Sequence, residues 1–362
     1  MESGKQELRV RETIVILSVA KNLGQILRYA QNDGPITIRE LLHWKANPGF
    51  PLSTFGFPPS TRMVTKQDII DGLNDLGLKA GDTVVVHSSL SSFGQVEGGA
   101  EAVVDALLEV LGPRGTLAVP TFNFEPGVFD LGATPSITGK ITEAVRRRPG
   151  AIRSKHPTHS VTAIGPLAQA ITENHDKVDP FGRGSALFKL LQAKGKVLQL
   201  GTTQTTCSMV HVAEEIVGVP FLERQRNVGV KMPEGKVIRK WIRRPGCSQG
   251  FNVLDEPLRQ RGQLAETIIG KCRARLMRAR DLVQAAVEML QADPESLLCT
   301  RPDCGNCAEA RAIIAALDSE RQDKEVTELA EQEERTMRMI GKQFDDVEIT
   351  YFDLQKHEHS PN

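Results

Sequence analysis

The pattern of hydrophobic and polar positions changes at about residue 63 of the chain. Beyond it, apolar runs of strand length alternate with longer segments whose apolar residues recur every three or four positions, as in amphipathic helices. The first helix is expected to begin after Thr65, with Asp68 completing a cap-and-acid start, and to end at Gly77. The alternation predicts an α/β fold with a largely buried sheet.

The same pattern predicts the remaining elements of this region. Strands are predicted over residues 83–86, 116–119, 161–164, 197–200, 228–231, 236–242 and 268–275. Helices are predicted over residues 100–111, 186–192 and 279–291, with a further helix beginning near Thr206.

The two ends of the chain differ from this folded region. Residues 1–62 end in a loop rich in Gly, Pro, Ser and Phe and carry no chemical motif, so we predict a poorly ordered extension. Residues 63–318 are predicted to form the folded domain, which includes a small Cys-rich element at 299–307. Residues 319–362 are strongly charged and then polar; we expect a charged tail, with at most a surface helix over 325–339.

Composition narrows the class of protein. The chain has 362 residues, 40% hydrophobic and 25% charged, and its 45 basic and 45 acidic side chains cancel. No global field therefore favours nucleic acid or an anionic membrane as a partner. Residues 14–20 form an apolar run too short to span a bilayer, without a convincing cleavage site. We predict a cytoplasmic protein with six reduced cysteines and make no prediction of its oligomeric state.

Residues 195–218, GKVLQLGTTQTTCSMVHVAEEIVG, contain the first candidate for chemistry. A strand ends at Gly201, and the Thr206 hydroxyl is expected to cap the following helix. His211 and Glu214 are three apart, so both lie on one face of that helix. A carboxylate beside an imidazole fixes its tautomer and raises its basicity, which suits a general base. A buried histidine beside a surface glutamate has the same spacing.

Cys207 precedes His211 by four residues and has the chemistry of an acyl-carrying nucleophile. We interpret it instead as a cysteine at a helix start.

A second candidate is the loop HSSLSSFG, residues 87–94, which follows a strand and precedes Gly98-Gly99 at a helix start. Glycines let the backbone approach a ligand closely, and helix N-terminal N–H groups attract anions. The arrangement indicates phosphate binding, although it matches neither the P-loop nor the dinucleotide fingerprint. A serine-rich turn with capping residues has the same features.

His156 and His159 suggest an alternative function. With His211 and Glu214 they form a ligand set for a zinc hydrolase, although two histidines three apart across a proline more often belong to a polar loop.

The cysteines near the C-terminus suggest a different metal site. Cys299, Cys304 and Cys307 lie within nine residues, the last two as C-x-x-C, a spacing that suits tetrahedral zinc. Cys247, in a Pro-Gly loop, is a better fourth ligand than Cys272, in an apparent strand. We predict a structural zinc clip with no part in catalysis; unligated thiols are the alternative.

Taken together, four stretches resemble the aminoglycoside 3-N-acetyltransferases. The first, VVVHSSLSSFGQVEGGAEAVVDALLEVLGPRGTLAVPTF, is similar to the coenzyme A-binding segment of that family. RSKHPTHSVTAIGPLA, GRGSALFKLLQAKGKVLQLG and MVHVAEE follow in the family's order, and the resemblance covers about residues 65–290. It implies a three-layer fold with a central mixed sheet flanked by helices, and an acetyltransferase domain over residues 63–318.

The resemblance also implies site roles. His211 would be the base that takes a proton from the attacking amine, and Glu214 would orient it. The residues expected to hold the pantetheine and pyrophosphate of acetyl-CoA are His87, Ser88, Ser89, Leu90, Gly98 and Gly99. Some family members lack histidines at the positions of His156 and His159, which weakens the hydrolase alternative.

The implied reaction is direct transfer of acetyl to the 3-amino group of an aminoglycoside, which needs placement and deprotonation but no covalent enzyme intermediate. Because aminoglycosides are polycations, their pocket should be acidic, and the candidates are Glu125, Asp130, Asp176, Asp179 and Glu215. Acetylation of a different amine metabolite is the leading alternative, and a non-catalytic binding protein with a zinc clip is a further one.

Overall fold

The structure is a computed structural model, and it describes residues 63–343. The predicted N-terminal extension and the end of the charged tail lie outside these residues. The helices are α1 (Lys66–Asp75), α2 (Gly99–Leu111), α3 (Lys140–Arg147), α4 (Ala168–Thr172), α5 (Ala186–Gln192), α6 (Val210–Val217), α7 (Asp255–Gln260), α8 (Ala279–Ala292) and α9 (Gly305–Gln343). The strands are β1 (Thr83–Ser88), β2 (Thr116–Pro120), β3 (Val128–Phe129), β4 (Ile152–Arg153), β5 (Val161–Ile164), β6 (Lys196–Leu200), β7 (Gln225–Lys231), β8 (Val237–Arg243), β9 (Ala265–Ile269) and β10 (Cys272–Arg278).

Seven strands form a mixed central sheet in the order β4-β5-β2-β1-β6-β10-β9. Strand β1 runs parallel to both β2 and β6, whereas β5 and β10 pair antiparallel with their neighbours. The predicted mixed sheet is thus confirmed. Because β1, β2 and β6 run the same way, the loops that follow them meet at one edge of the sheet, where ligands bind in folds of this type.

The sheet separates two hydrophobic cores. Along β1, Val84 and Val86 belong to one core while Val85 belongs to the other, because successive side chains of a strand point to opposite faces. Helices α1, α2 and α3 pack in the first core, and α5, α6 and α8 in the second. Fully buried Val, Leu and Ile on both faces explain the nearly continuous apolar runs in the sequence.

Strands β3, β7 and β8 form a second, three-stranded sheet. Strand β7 begins three residues before the predicted strand, whereas β8 is shifted by one residue, and the hairpin turns at Gly235, where φ is +86°. Several exposed lysines and arginines lie along it, so it brings a row of cations beside the main domain.

Two predicted boundaries were wrong. The strand expected over residues 268–275 is two strands, β9 and β10, paired antiparallel. Gly270 lies between them with φ +61°, and a Cβ there would lie 2.3 Å from Val64, so a glycine makes this turn. The helix expected near Thr206 begins at Val210, because the Thr206 hydroxyl donates to the Thr203 carbonyl in a short 3₁₀ turn (3.0 Å) instead of capping.

The first helix begins as expected. Thr65 accepts from the Asp68 amide and Asp68 accepts from the Thr65 amide, which is a capping box, and the helix ends at Asp75. Helix α9 extends through residues 325–339, and its described side chains from 315 to 335 are exposed. Within residues 63–343, no helix combines the length and the apolar character needed to cross a membrane.

Candidate active site

His211 and Glu214 form the most sharply defined polar contact at the carboxyl edge of the sheet. The chain leaves β6 at Leu200, passes a loop, and enters α6, where the two side chains share a face. Nδ1 of His211 lies 2.6 Å from Oε2 of Glu214, and the side chains are 9% and 1% exposed. Because a carboxylate only accepts, Nδ1–H is the donor, which leaves Nε2 as the ring atom able to take a proton.

Aromatic rings enclose His211 on two sides. Phe181 stacks on the imidazole with ring centroids 5.0 Å apart, and Phe251 meets it edge-on, also at 5.0 Å. Both phenylalanines come from segments distant in sequence, and both are buried. The imidazole therefore sits in apolar surroundings whose main polar contact is Glu214.

The neighbouring His156, His159 and His175 form a separate cluster. His156 Nδ1 accepts from the His159 amide at 2.9 Å, and His175 lies 3.0 Å from the Pro180 carbonyl. Burial, with smaller effects from neighbouring histidines and from Lys240 or Arg226, holds the pKa of His156 and of His159 well below the usual range, so both rings are neutral near pH 7.

The ring of Phe181 contacts both His159, at 5.1 Å, and His211, at 5.0 Å. The zinc hydrolase alternative needs four side chains around one ion: His156, His159, His211 and Glu214. Within residues 63–343, the ligand atoms of these four side chains do not come close enough together to hold one ion. The structure therefore gives the hydrolase alternative no metal centre.

The expected cofactor residues begin at the end of β1. His87 and Ser88 line a cavity of about 190 Å³, together with Thr202, Thr206 and Ser208 from the loop after β6. Burial lowers the pKa of His87 to about 4. Among the described residues, His87 Nε2 and Ser88 Oγ are buried without a hydrogen-bond partner.

Ser89 and Leu90 continue this loop. The Ser89 amide donates to the Leu200 carbonyl at 2.9 Å, and Leu90 starts a 3₁₀ turn. The turn brings Ser92 against Gly201, where a Cβ would lie 1.8 Å from the Ser92 hydroxyl. The loops after β1 and β6 are thus in direct contact.

Gly98 and Gly99 start α2, as the sequence indicated. Their φ angles are +75° and +61°, so the backbone itself favours glycine here. A Cβ on Gly99 would meet no atom within 4 Å, which leaves open space at the helix N-terminus.

The four cysteines predicted to bind zinc lie together. The Sγ atoms of Cys247, Cys299, Cys304 and Cys307 are within 4.8 Å of one another, whereas Cys272 lies in β10 and packs in the other core. Hydrogen bonding from the backbone at Cys307, at the start of α9, lowers the pKa of Cys304 to about 7. Such a set has the number, spacing and chemistry of zinc ligands.

The acidic side chains proposed for the acceptor pocket are mostly paired with the β7–β8 hairpin. Glu125 lines a cavity beside Arg226. The closest oxygen–nitrogen distances are Asp130–Lys231 2.9 Å, Asp176–Lys240 4.0 Å, Asp179–Arg243 3.4 Å and Glu215–Arg243 3.2 Å. Arg243 also borders the void beside His211 and Glu214. No local sequence pattern around Arg243, Phe181 or Phe251 predicts that these residues lie beside His211.

Comparisons with known proteins identify the family of the chain. A family model described as aminoglycoside 3-N-acetyltransferase matches residues 85–291. Aminoglycoside N(3)-acetyltransferase VII of Streptomyces paromomycinus is 31% identical over 269 residues, which are 63% of this chain and 92% of the relative.

Solved structures give the same result. A histidine-to-alanine mutant of aminoglycoside acetyltransferase AAC(3)-IVa in complex with a gentamicin is 29% identical, with a TM-score of 0.64, covering 69% of this chain and 98% of that one. AAC-IIIb in binary complex with CoASH is 26% identical, with a TM-score of 0.59 and coverage of 64% and 97%.

Fold and comparisons together define the chain as an acetyltransferase. It belongs to the aminoglycoside 3-N-acetyltransferase family.

Proposed function

We propose that the chain transfers an acetyl group from acetyl-CoA directly to the 3-amino group of an aminoglycoside, with His211 as general base and Glu214 orienting it. The observation that carries this proposal is the buried 2.6 Å hydrogen bond from His211 Nδ1 to Glu214 at the carboxyl edge of the sheet. Such an activity would protect a cell against the antibiotic.

In the proposed step, the amine nitrogen attacks the thioester carbonyl carbon and gives a proton to His211 Nε2. The carbon–sulfur bond then breaks, and the departing sulfur takes that proton from His211 Nε2. Coenzyme A leaves as the thiol, and the imidazole returns to its neutral form. An imidazolium formed between Phe181 and Phe251 would be costly alone; the negative charge of Glu214 offsets that cost. Binding holds the two substrates in reach of each other.

We place acetyl-CoA along the loops after β1 and before α2. The unpartnered His87 Nε2 and Ser88 Oγ face its reactive arm, with Ser89 and Leu90 beside them. The phosphates lie at the open N-terminus of α2, at Gly98 and Gly99. Ser208, in the wall of the same cavity, is three residues from His211, so the arm leads toward the base.

One observation favours a second candidate, acetylation of an amine with fewer positive charges than an aminoglycoside. Asp130, Asp179 and Glu215 are already paired with cations of the hairpin. A polycationic acceptor has to compete with these cations, whereas a simpler amine does not.

The test is thiol release from acetyl-CoA against a panel of aminoglycosides and simple amines, with wild type and His211→Ala. We expect the variant to lose about 100-fold or more in kcat, the scale of a missing general base. The Michaelis constant for acetyl-CoA should change little, because the base acts on the other substrate. Near-normal turnover by the variant at neutral pH would rule out His211 as the base, and the acceptor used best by wild type decides between the two candidates.

We further propose that Cys247, Cys299, Cys304 and Cys307 hold one structural zinc ion, which their mutual Sγ distances of at most 4.8 Å support. About one zinc per chain should survive dialysis of untagged protein, and Cys304→Ser should lower both zinc content and melting temperature, because metal binding contributes to folding. Cys272→Ser is the matched control for zinc content, since it removes a thiol outside the set. Wild type without zinc would contradict the proposal.

A further inference from the structure

One loop, residues 244–251, extends from the cysteine cluster to the His211–Glu214 pair. At the cluster, Cys247 Sγ lies 3.9 Å from Cys299 Sγ. Gly250 packs so closely on the opposite segment that a Cβ would lie 2.3 Å from the Leu297 carbonyl oxygen. The loop is therefore held to the cluster both by the cysteine and by backbone contact.

The same loop also borders the His211–Glu214 pair. A Cβ on Gly246 would lie 3.7 Å from Glu214 Oε1 and 3.5 Å from Phe221. Pro245 lies in the wall of the small void shared by His211 and Glu214. At the far end of the loop, Phe251 is fully buried and its ring meets His211 edge-on at 5.0 Å.

Midway along, the loop is tied to the segment that follows β6. The Ser248 hydroxyl donates to the Thr205 carbonyl at 2.5 Å. The loop thus contacts Glu214, His211 and the approach to α6, and Cys247 lies between these contacts in sequence. Because these contacts flank Cys247 within four residues on either side, a displacement of Cys247 moves the residues that make them.

We propose that the metal-loaded cysteine cluster acts as a positioning device for acetyl transfer: it fixes the loop of residues 244–251, and the loop holds His211 and Glu214 in their productive arrangement. The metal takes no part in the chemistry. This inference rests on the proposed acetyl transfer and on the proposed zinc. If the cluster positions the loop, removal of the metal lowers kcat even though the metal takes no part in the chemical step.

Cys304→Ser is the first variant, because Cys304 is partly exposed and lies outside the loop. Loss of the metal should lower kcat about tenfold or more at a temperature where the variant is folded, since misplacement of a reacting group by about 1 Å can cost about 100-fold. The Michaelis constant for acetyl-CoA should stay within about twofold, because its residues lie on other loops. Amide hydrogen exchange over residues 244–251 should become faster.

Gly246→Val separates the loop from the metal. Its side chain extends beyond the Cβ position toward Glu214 and Phe221, so it should push the loop away from them while zinc content stays at the wild-type level. We expect a fall in kcat similar to that of Cys304→Ser. Gly132→Val is the matched control, because a Cβ at Gly132 meets only the Asp130 carboxylate, at 3.7 Å.

The outcomes separate the three proposals. Loss of zinc with unchanged kcat and unchanged exchange over residues 244–251 overturns the positioning role. Wild type that contains no zinc overturns the metal proposal and this inference with it. Zinc-loaded wild type that acetylates no acceptor overturns the proposed function; exchange over the loop, with and without metal, then decides the coupling by itself.

Discussion

Glu214 is the residue that distinguishes His211 from the other buried histidines around the site. Burial lowers the pKa of His87 and of His175 to about 4, and holds that of His156 and His159 well below the usual range. A base has to accept a proton during the reaction, and a buried imidazole does so more readily beside a carboxylate. Among the histidines of the described residues, His211 is the one that lies within ion-pair distance of a carboxylate, that of Glu214.

Glu214→Gln tests this reasoning. The amide keeps the size of the side chain but removes the negative charge, so the imidazolium formed during transfer loses its stabilisation. We expect kcat to fall about 10-fold to 100-fold, less than in His211→Ala. Thiol release from acetyl-CoA at saturating substrate concentrations measures this fall.

Glu215→Gln is the matched control for this experiment. Glu215 is the next residue along α6, but its carboxylate pairs with Arg243 at 3.2 Å, and burial raises its pKa. Its loss should raise the Michaelis constant for a cationic acceptor and leave kcat near the wild-type value. An equal fall in kcat in the two variants would contradict a specific role for Glu214.

At the scale of elements, the site depends on how closely the loops after β1 and β6 approach. Gly201 has φ +68°, and a Cβ there would lie 1.8 Å from the Ser92 hydroxyl oxygen. This contact connects the candidate cofactor loop to the chain that leads into α6. Glycine is therefore needed at this position both for backbone conformation and for space.

Gly201→Ala should destabilise the fold by about 3 kcal/mol or more, since a left-handed residue and an overpacked contact each cost about 1–3 kcal/mol. Gly235→Ala, at the turn of the hairpin, is the matched control: its φ is +86°, but a Cβ meets nothing within 4 Å. It should cost only about 1–2 kcal/mol. Denaturant unfolding of both variants measures the difference, and equal losses would show that the loop contact is unimportant.

At the scale of the whole molecule, the central sheet could be predicted because its cause is local. Strands such as β1 and β6 are buried on both faces, so their apolar runs are visible in the sequence. The β9–β10 turn was missed because Gly270-Lys271 interrupts an otherwise strand-like run. The position of the α6 start was missed because Thr206 binds the Thr203 carbonyl instead of the helix amides.

Most of the candidate site that could be predicted involves residues close in sequence; Cys247, 52 residues before Cys299, is the exception. The three-residue spacing of His211 and Glu214, and the C-x-x-C of Cys304 and Cys307, are local patterns. The ring contacts of Phe181 and Phe251 with His211, and the position of Arg243 at the void beside His211 and Glu214, join segments distant in sequence. No local pattern in the sequence marks these three residues. The cytoplasmic location and the poorly ordered extension stay predictions.

The place of β6 in the sheet has a consequence for how the chain is made. β6 pairs on one side with β1, which precedes it by about 110 positions, and on the other with β10, which follows about 80 positions later. Contacts so distant in sequence form slowly. During synthesis β6 therefore has one unpaired side until residue 278 has left the ribosome, and the loop leading to His211 lies at the end of that strand. An unpaired strand side can pair with another chain, so the strand that leads toward His211 is open to aggregation until β10 has been made.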